Sequence, residues 1–194
     1  GHGTGTLSIL AGGTVDSQQQ GVLGGAPDAE IVPIRIADRV VLLRTSSLAR
    51  SILYAGDIGC AVGSLSMGGL PSKAWAEAVD DAYDVGFCLV AAGGNRVGEL
   101  PPRSLVYPAR DPRVIAVTGV MADGSPYENL GGAALEGSFG PDSALHSAIA
   151  AYTPNIPWAK FGGADVTRLN GEGTSAATPQ VAAAAALWVE KYKD

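Results

Sequence analysis

Four runs of almost unbroken apolar residues, separated by segments whose apolar residues recur at helical spacing, restrict the folds open to this chain more than any other feature. The runs are residues 29–36 (AEIVPIRI), 59–67 (GCAVGSLSM), 86–92 (GFCLVAA) and 114–120 (VIAVTGV). Strands with one face in water alternate apolar and polar residues, whereas runs this apolar fit strands covered on both faces. Between the first two, Thr45, Ser46 or Ser47 can cap a helix with Leu48, Ile52 and Tyr54 on its apolar face and a stop near Gly56 or Gly59. Between the next two, Ser72 can cap a second helix that carries Trp75, Val79 and Tyr83 and ends at Gly86. Two successive βαβ units predict an α/β fold, a parallel sheet covered by helices.

Residues 121–173 scatter Gly, Pro, Asn and Ser without a sustained period, which predicts loops with short strands. Residues 174–192 then resume as an Ala-rich helix, with Pro179 expected in its first turn, where a missing N–H costs little.

Composition narrows the function classes. Of 194 residues, 46% are hydrophobic and only 16% charged, as expected of one globular domain and unlike an acidic disordered tail or a charged coiled coil. Asp and Glu outnumber Lys and Arg by 19 to 13, so no basic patch is available for nucleic acid or an anionic membrane surface. The longest apolar run near the end, residues 181–189, is far short of the roughly 20 residues a membrane span needs. Cys60 and Cys88 are too few for a disulfide scaffold, lack metal-ligand spacing, and read as buried reduced thiols.

Three glycine-rich passages place reactive side chains at turns or helix starts: GHGTGTLSILAG from Gly1, AAGGN ending at Asn95, and NGEGTSAATPQVA around Ser175. Each has a plain local reading. His2 could be a surface residue at a helix start, Asn95 a turn former that tolerates the left-handed region, and Ser175 a helix-capping residue. The chemical reading makes Ser175 a nucleophile at a helix N-terminus, where the dipole and free N–H groups favour developing negative charge. A serine hydroxyl needs a neighbouring base, for which His2 is the candidate. Asn95, leaving the C-terminal end of a parallel strand, could offer its side-chain N–H to an oxyanion. A G-x-S-x-G nucleophile elbow is excluded, because Ala177 stands where its second Gly belongs. No strand precedes GHGTGT and no GK[ST] follows it, which disfavours a phosphate loop.

Taken together the three passages resemble the subtilisin-like serine peptidases, or subtilases. His2-Gly3-Thr4 is similar to the family's histidine motif, with Gly5 in place of its common second histidine; residues 173–179 (GTSAATP) match the nucleophile motif GTSxAxP; and AAGGN resembles its AAGN segment with one Gly added. Residues 21–27 (GVLGGAP) and Tyr107-Pro108-Ala109 are similar to further family passages. The resemblance implies a three-layer open parallel sheet with helices on both faces. It also implies an endopeptidase acting on extended polypeptides, with His2 as general base, Ser175 as nucleophile and Asn95 in the oxyanion hole. Ser66-Met67-Gly68 would form one edge of the substrate cleft and Ala91-Ala92-Gly93 the opposite wall of the S1 pocket. Val106 would stand at its floor and favour small or aliphatic P1 residues.

A triad of this type runs Asp, His, Ser along the chain, yet only Gly1 precedes His2. The resemblance therefore implies a single partial catalytic domain, residues 1–194, trimmed at both ends, with the Asp upstream. Loss of that acid alone lowers kcat of a subtilisin by about 3 × 10⁴, so the chain as given is expected to be nearly inactive. Asp16, Asp28, Asp38, Asp57 and Asp165 lie in no motif that favours them as substitutes, and His146 has no assigned role. The loop 16–22 resembles the family's calcium loop, but only Gln18 offers an amide ligand, so no metal residues are assigned and a structural calcium is left to the full-length protein. No cofactor is required. Polypeptide substrates, a propeptide and an extracellular location are what the family implies. The alternative is a catalytically silent, peptide-binding relative.

Overall fold

The computed structural model describes residues 1–15, 21–38, 41–42, 46–97, 104–127, 135–137, 148–162 and 167–193. In chain order its elements are α1 (His2–Ala11), β1 (Val41–Leu42), α2 (Ser46–Asp57), β2 (Val62–Leu65), β3 (Gly68–Gly69), α3 (Lys73–Asp84), β4 (Cys88–Ala92), β5 (Asn95–Val97), β6 (Ile115–Val120), β7 (Leu135–Gly137), β8 (Ala148–Tyr152), β9 (Ile156–Ala159), β10 (Thr167–Gly171) and α4 (Thr174–Lys191).

A parallel four-stranded sheet, ordered β2, β4, β6, β8, forms the centre. Side chains alternate across a strand, and here each face meets helices. Leu65, Leu89, Ala91 and Ala116 join Leu48, Ile52, Trp75 and Val79 in one core beneath α2 and α3. Val90 and Val117, on the opposite face, pack with Ala177, Val181 and Ala182 of α4, and Leu10 of α1 closes that core. Val90 and Val117 are fully buried, and each such side chain contributes about 1.5–3 kcal/mol through removal of apolar surface from water. The helix-covered parallel sheet expected from the apolar runs is thus present, in the three layers that the family resemblance implies. Three short pairs lie outside the central sheet: β1 with β3 in parallel, β5 with β7 and β9 with β10 antiparallel.

Ser72 caps α3 as its position predicts, its hydroxyl accepting from Trp75 N–H at 3.2 Å. The predicted start of α2 holds at Ser46, whereas Thr45 lies outside the described residues. Two aromatic residues assigned to apolar helix faces are in fact exposed, Tyr54 by 52% and Tyr83 by 58%. The buried stripes run through Leu48, Ala49, Ile52 and Ala55 on α2, and through Trp75, Ala78, Val79 and Ala82 on α3. Alanines supply half of each stripe, and the Trp75 ring is buried among them, whereas Tyr54 and Tyr83 lie outside the stripes.

The expected strand at residues 29–36 does not form among the described residues. Pro33 offers no N–H to a ladder, and Val32 and Ile34 remain exposed while Ile36 packs against the α2–α3 core. Within the stretch read as loops with short strands, β8 pairs along all of its five residues as the fourth strand of the central sheet. Pro179 is the sixth residue of α4, beyond the first turn in which it was expected. Cys60 and Cys88 are free and half-buried, which corrects their reading as buried thiols, and burial raises the pKa of the Cys88 thiol. Asp16, Gln18 and most of the calcium-loop candidate, with Asp165 and His146, lie outside the described residues.

Candidate active site

The start of α4 is built around two glycines that tolerate no replacement of ordinary shape. Gly173 caps the helix at φ 74°, ψ 178°, a conformation essentially reserved for glycine. A Cβ there would lie 2.8 Å from Asn95 Nδ2. Gly94, the residue added to the AAGN-like segment, has φ 104°, and its N–H donates to Thr174 Oγ1 at 3.2 Å.

Asn95 meets this helix end directly. Its Oδ1 accepts from Thr174 N–H at 2.9 Å, claiming one of the donors that the first turn of any helix leaves without an intrahelical partner. Because a backbone N–H must face the amide oxygen, the NH₂ group of Asn95 is directed elsewhere. Ala176 N–H donates to Gly173 O at 3.0 Å. Ser175 N–H, between the two, is unclaimed among the described residues. The unclaimed Ser175 N–H and the Asn95 amide, bonded to the neighbouring Thr174, thus belong to the same helix start.

Ser175 is also tied to the end of β2, and Pro179 supplies the reason. A proline lacks the N–H that would bond the carbonyl four residues earlier, which here is Ser175 O. The Ser66 hydroxyl donates to that carbonyl at 2.9 Å, and the Ser175 hydroxyl donates back to Ser66 O at 3.3 Å. Residues 109 positions apart are joined by this reciprocal pair. Without it a helix carbonyl would lack a partner.

The residues assigned to the substrate cleft also converge. Gly93 N–H donates to Val117 O at 2.8 Å and Gly93 O accepts from Val106 N–H at 2.9 Å. A Cβ on Gly68 would fall 2.6 Å from Val106 Cγ2. Val106 is thus lodged between Gly68 and Gly93. Met67 packs partly buried against the α2–α3 core, and Ala91 and Ala92 are buried.

His2 is the first residue of α1, which has no side-chain N-cap bond. Its imidazole is half-buried and meets the indole of Trp158 edge to face, with ring centroids 6.2 Å apart and an interplanar angle of 79°. Burial, and then the Gly1 α-ammonium, lower its pKa below 6.5. Among the described residues no carboxylate pairs with His2, and no hydrogen bond joins it to the Ser175 hydroxyl. Asp38 pairs with Arg35 at the surface, and Asp57 is the last residue of α2. Of the predicted site residues, Ser66, Asn95 and Ser175 are joined by direct hydrogen bonds or through Thr174, whereas His2 stands apart on α1. Sequence reasoning missed Thr174 and Trp158. Thr174 lies within the nucleophile motif, but nothing local marks Trp158, which is 156 positions from His2 and reaches it only through the fold.

Among the described residues no group of three or more His, Cys, Asp or Glu is placed to share a metal ion. The family model described as the Subtilase family matches residues 1–194. The chain is 32% identical over 197 residues to subtilisin DY of Bacillus licheniformis, covering 99% of this chain and 64% of that protein. It is 34% identical over 188 residues to thermitase of Thermoactinomyces vulgaris, covering 96% of this chain and 60% of that protein. The chain thus spans a little under two thirds of these relatives. Patellamide maturation protease PatA superposes with a TM-score of 0.76 at 30% identity, over 99% of this chain and 66% of that one. PatG macrocyclase in complex with peptide, at 23% identity and a TM-score of 0.67, shares the fold. A helix start that presents GTSAATP beneath an Asn-bearing strand end, in a three-layer parallel α/β domain matched over its whole length, makes this chain a member of the subtilase family.

Proposed function

We propose that the chain carries the nucleophile, the general base and the oxyanion site of a subtilisin-type serine endopeptidase acting on extended polypeptides. His2 takes the proton of Ser175 Oγ as that oxygen attacks the scissile carbonyl carbon, and the resulting oxyanion is met by Asn95 Nδ2 and Ser175 N–H. The tetrahedral intermediate collapses as His2 returns the proton to the leaving amine. Water, activated by the same imidazole, then hydrolyses the acyl-enzyme. The observation that carries this reading is the bond from Thr174 N–H to Asn95 Oδ1, which fixes the asparagine amide at the helix start one residue from the unclaimed Ser175 N–H.

The edge Ser66-Met67-Gly68 and the wall Ala91-Ala92-Gly93 pin the peptide by main-chain pairing, with Val106 restricting S1 to small or aliphatic P1 side chains. The triad acid is proposed to come from upstream of these 194 residues, together with any propeptide and structural calcium. The site of action is extracellular, as in many members of the family. The chemistry uses side chains and backbone donors alone and calls for no organic cofactor.

Labelling the full-length, propeptide-free protein, which carries the upstream acid, with a fluorophosphonate probe tests the reading: a folded sample should be labelled, and Ser175→Ala should not. Labelling that survives in Ser175→Ala, or that fails in the folded protein, removes the peptidase reading. The second reading, a peptide-binding domain without catalysis, draws on the Ser175 hydroxyl donating to Ser66 O instead of to an imidazole. Cleavage profiling that found Phe or Tyr at P1 would overturn the role of Val106.

A further inference from the structure

Position 5 carries glycine where the family motif commonly has a second histidine, and the space this leaves is filled from another part of the chain. A Cβ built on buried Gly5 would lie 2.5 Å from Cε3 and 2.6 Å from Cδ2 of Trp158. No real Cβ makes such a contact, so the indole sits where any side chain at position 5 would be. Three bonds hold it there. The indole Nε1–H donates to Asn170 Oδ1 at 2.8 Å, from the paired strand β10. Ala159 N–H donates to the Ser8 hydroxyl at 2.8 Å, and that hydroxyl donates to Gly5 O at 2.7 Å. Strand β9 is thereby clamped to α1 one turn past His2, and from this seat the indole makes its edge-to-face contact with the imidazole.

We propose that Trp158, seated in the gap left by Gly5, is a positioning residue for His2: it restricts the imidazole to one orientation at the start of α1 and shields it from water. The proposal rests on the reading of His2 as general base. An imidazole at an uncapped helix start has no hydrogen-bonding partner among the described residues to fix its ring, and aromatic pairs at this separation prefer the perpendicular geometry seen here. The contact acts by shape and by the ring quadrupoles. β9 has no ionisable side chain, α1 has none besides His2, and the charged groups of α4, Glu190 and Lys191, lie in its last turn. Burial is the larger of the influences that lower the imidazole's pKa.

The chain has two histidines, so NMR reads His2 directly once His146→Gln has assigned the second signal. The indole ring current should displace the His2 Cε1–H resonance. Trp158→Ala should return it to the position of a free histidine without moving His146, and Trp158→Phe should keep part of the displacement. Gly5→Ala should also move the resonance in the wild-type background but not in Trp158→Ala, where the added methyl has room. A His2 resonance unmoved in folded Trp158→Ala overturns the proposal. Should that variant fail to fold, an unmoved resonance in both Trp158→Phe and Gly5→Ala does the same. Fluorophosphonate labelling of Ser175 should slow by about 10–10²-fold in Trp158→Ala, as expected for a misplaced base, and the substitution should have no further effect in a His2→Ala background. If His2→Ala labels as fast as wild type, the general-base reading fails, whereas the NMR result still decides whether Trp158 orients the ring.

Discussion

The Ser175 end of α4 and the His2 end of α1 begin alike, each as a helix after a glycine with no side-chain cap bond, but they are held by different forces. Around Ser175 the backbone is locked by directional bonds: Asn95 Oδ1 to Thr174 N–H, Thr174 Oγ1 to Gly94 N–H, and the reciprocal pair with Ser66. Around His2 the contact is between rings, and the hydrogen bonds that secure it belong to Ser8, Ala159 and Asn170. A nucleophile and its oxyanion donors must be fixed to a few tenths of an ångström, and hydrogen-bond networks provide that rigidity. A base that moves a proton between two partners needs a preferred orientation, for which packing is sufficient.

Substitutions can break each half of this comparison. The largest effect is expected from Asn95→Ala, which removes the proposed oxyanion donor and orphans Thr174 N–H. In the protein joined to its triad acid, kcat on a peptide substrate should fall about 10²–10³-fold, with a smaller change in KM. Gly173→Ala should come next. It forces an L-residue into φ 74° and against Asn95, and the denaturation midpoint should show a loss of about 1–3 kcal/mol. Ser66→Ala leaves Ser175 O without its donor and should cost about 1–3 kcal/mol. That cost should shrink in a Pro179→Ala background, where a helix N–H becomes available, so a double-mutant cycle without coupling would refute the link between Pro179 and Ser66.

The smallest effect concerns the His2 side. Its pKa is lowered below 6.5, so the imidazole is neutral and competent as a base at pH 7 and becomes protonated only on acidification below that value. Trp158→Ala removes part of the burial that lowers it, so the pKa should rise toward 6.5 and the acid limb of the labelling rate should move to higher pH. Titration of the His2 resonance measures both. A limb that stayed in place or moved to lower pH would show that the indole does not account for the burial of the ring.

Much of this was legible in the residues. β2, β4 and β6 follow the apolar runs, Ser72 caps α3, and the motifs around Asn95 and Ser175 do meet. Residues 29–36 were misread because a strand exists only with a partner, which no local pattern contains. β8 was hidden because five residues, Ala148–Tyr152, are too few to establish a period amid glycines and prolines. Tyr54 and Tyr83 were misplaced because hydrophobicity ranks a ring above alanine, whereas the buried stripes run through Ala49 and Ala55 on α2 and Ala78 and Ala82 on α3.

What the sequence alone determined was local: the period of each helix, the doubly covered strands, and the residue types able to perform acyl transfer. The tertiary structure decided which of them share a space. Ser66 completes the carbonyl that Pro179 leaves open, and Trp158 takes the room Gly5 does not use. Each pairing joins residues more than a hundred positions apart, and its geometry is set by the packing of elements between them, so no window of sequence contains it.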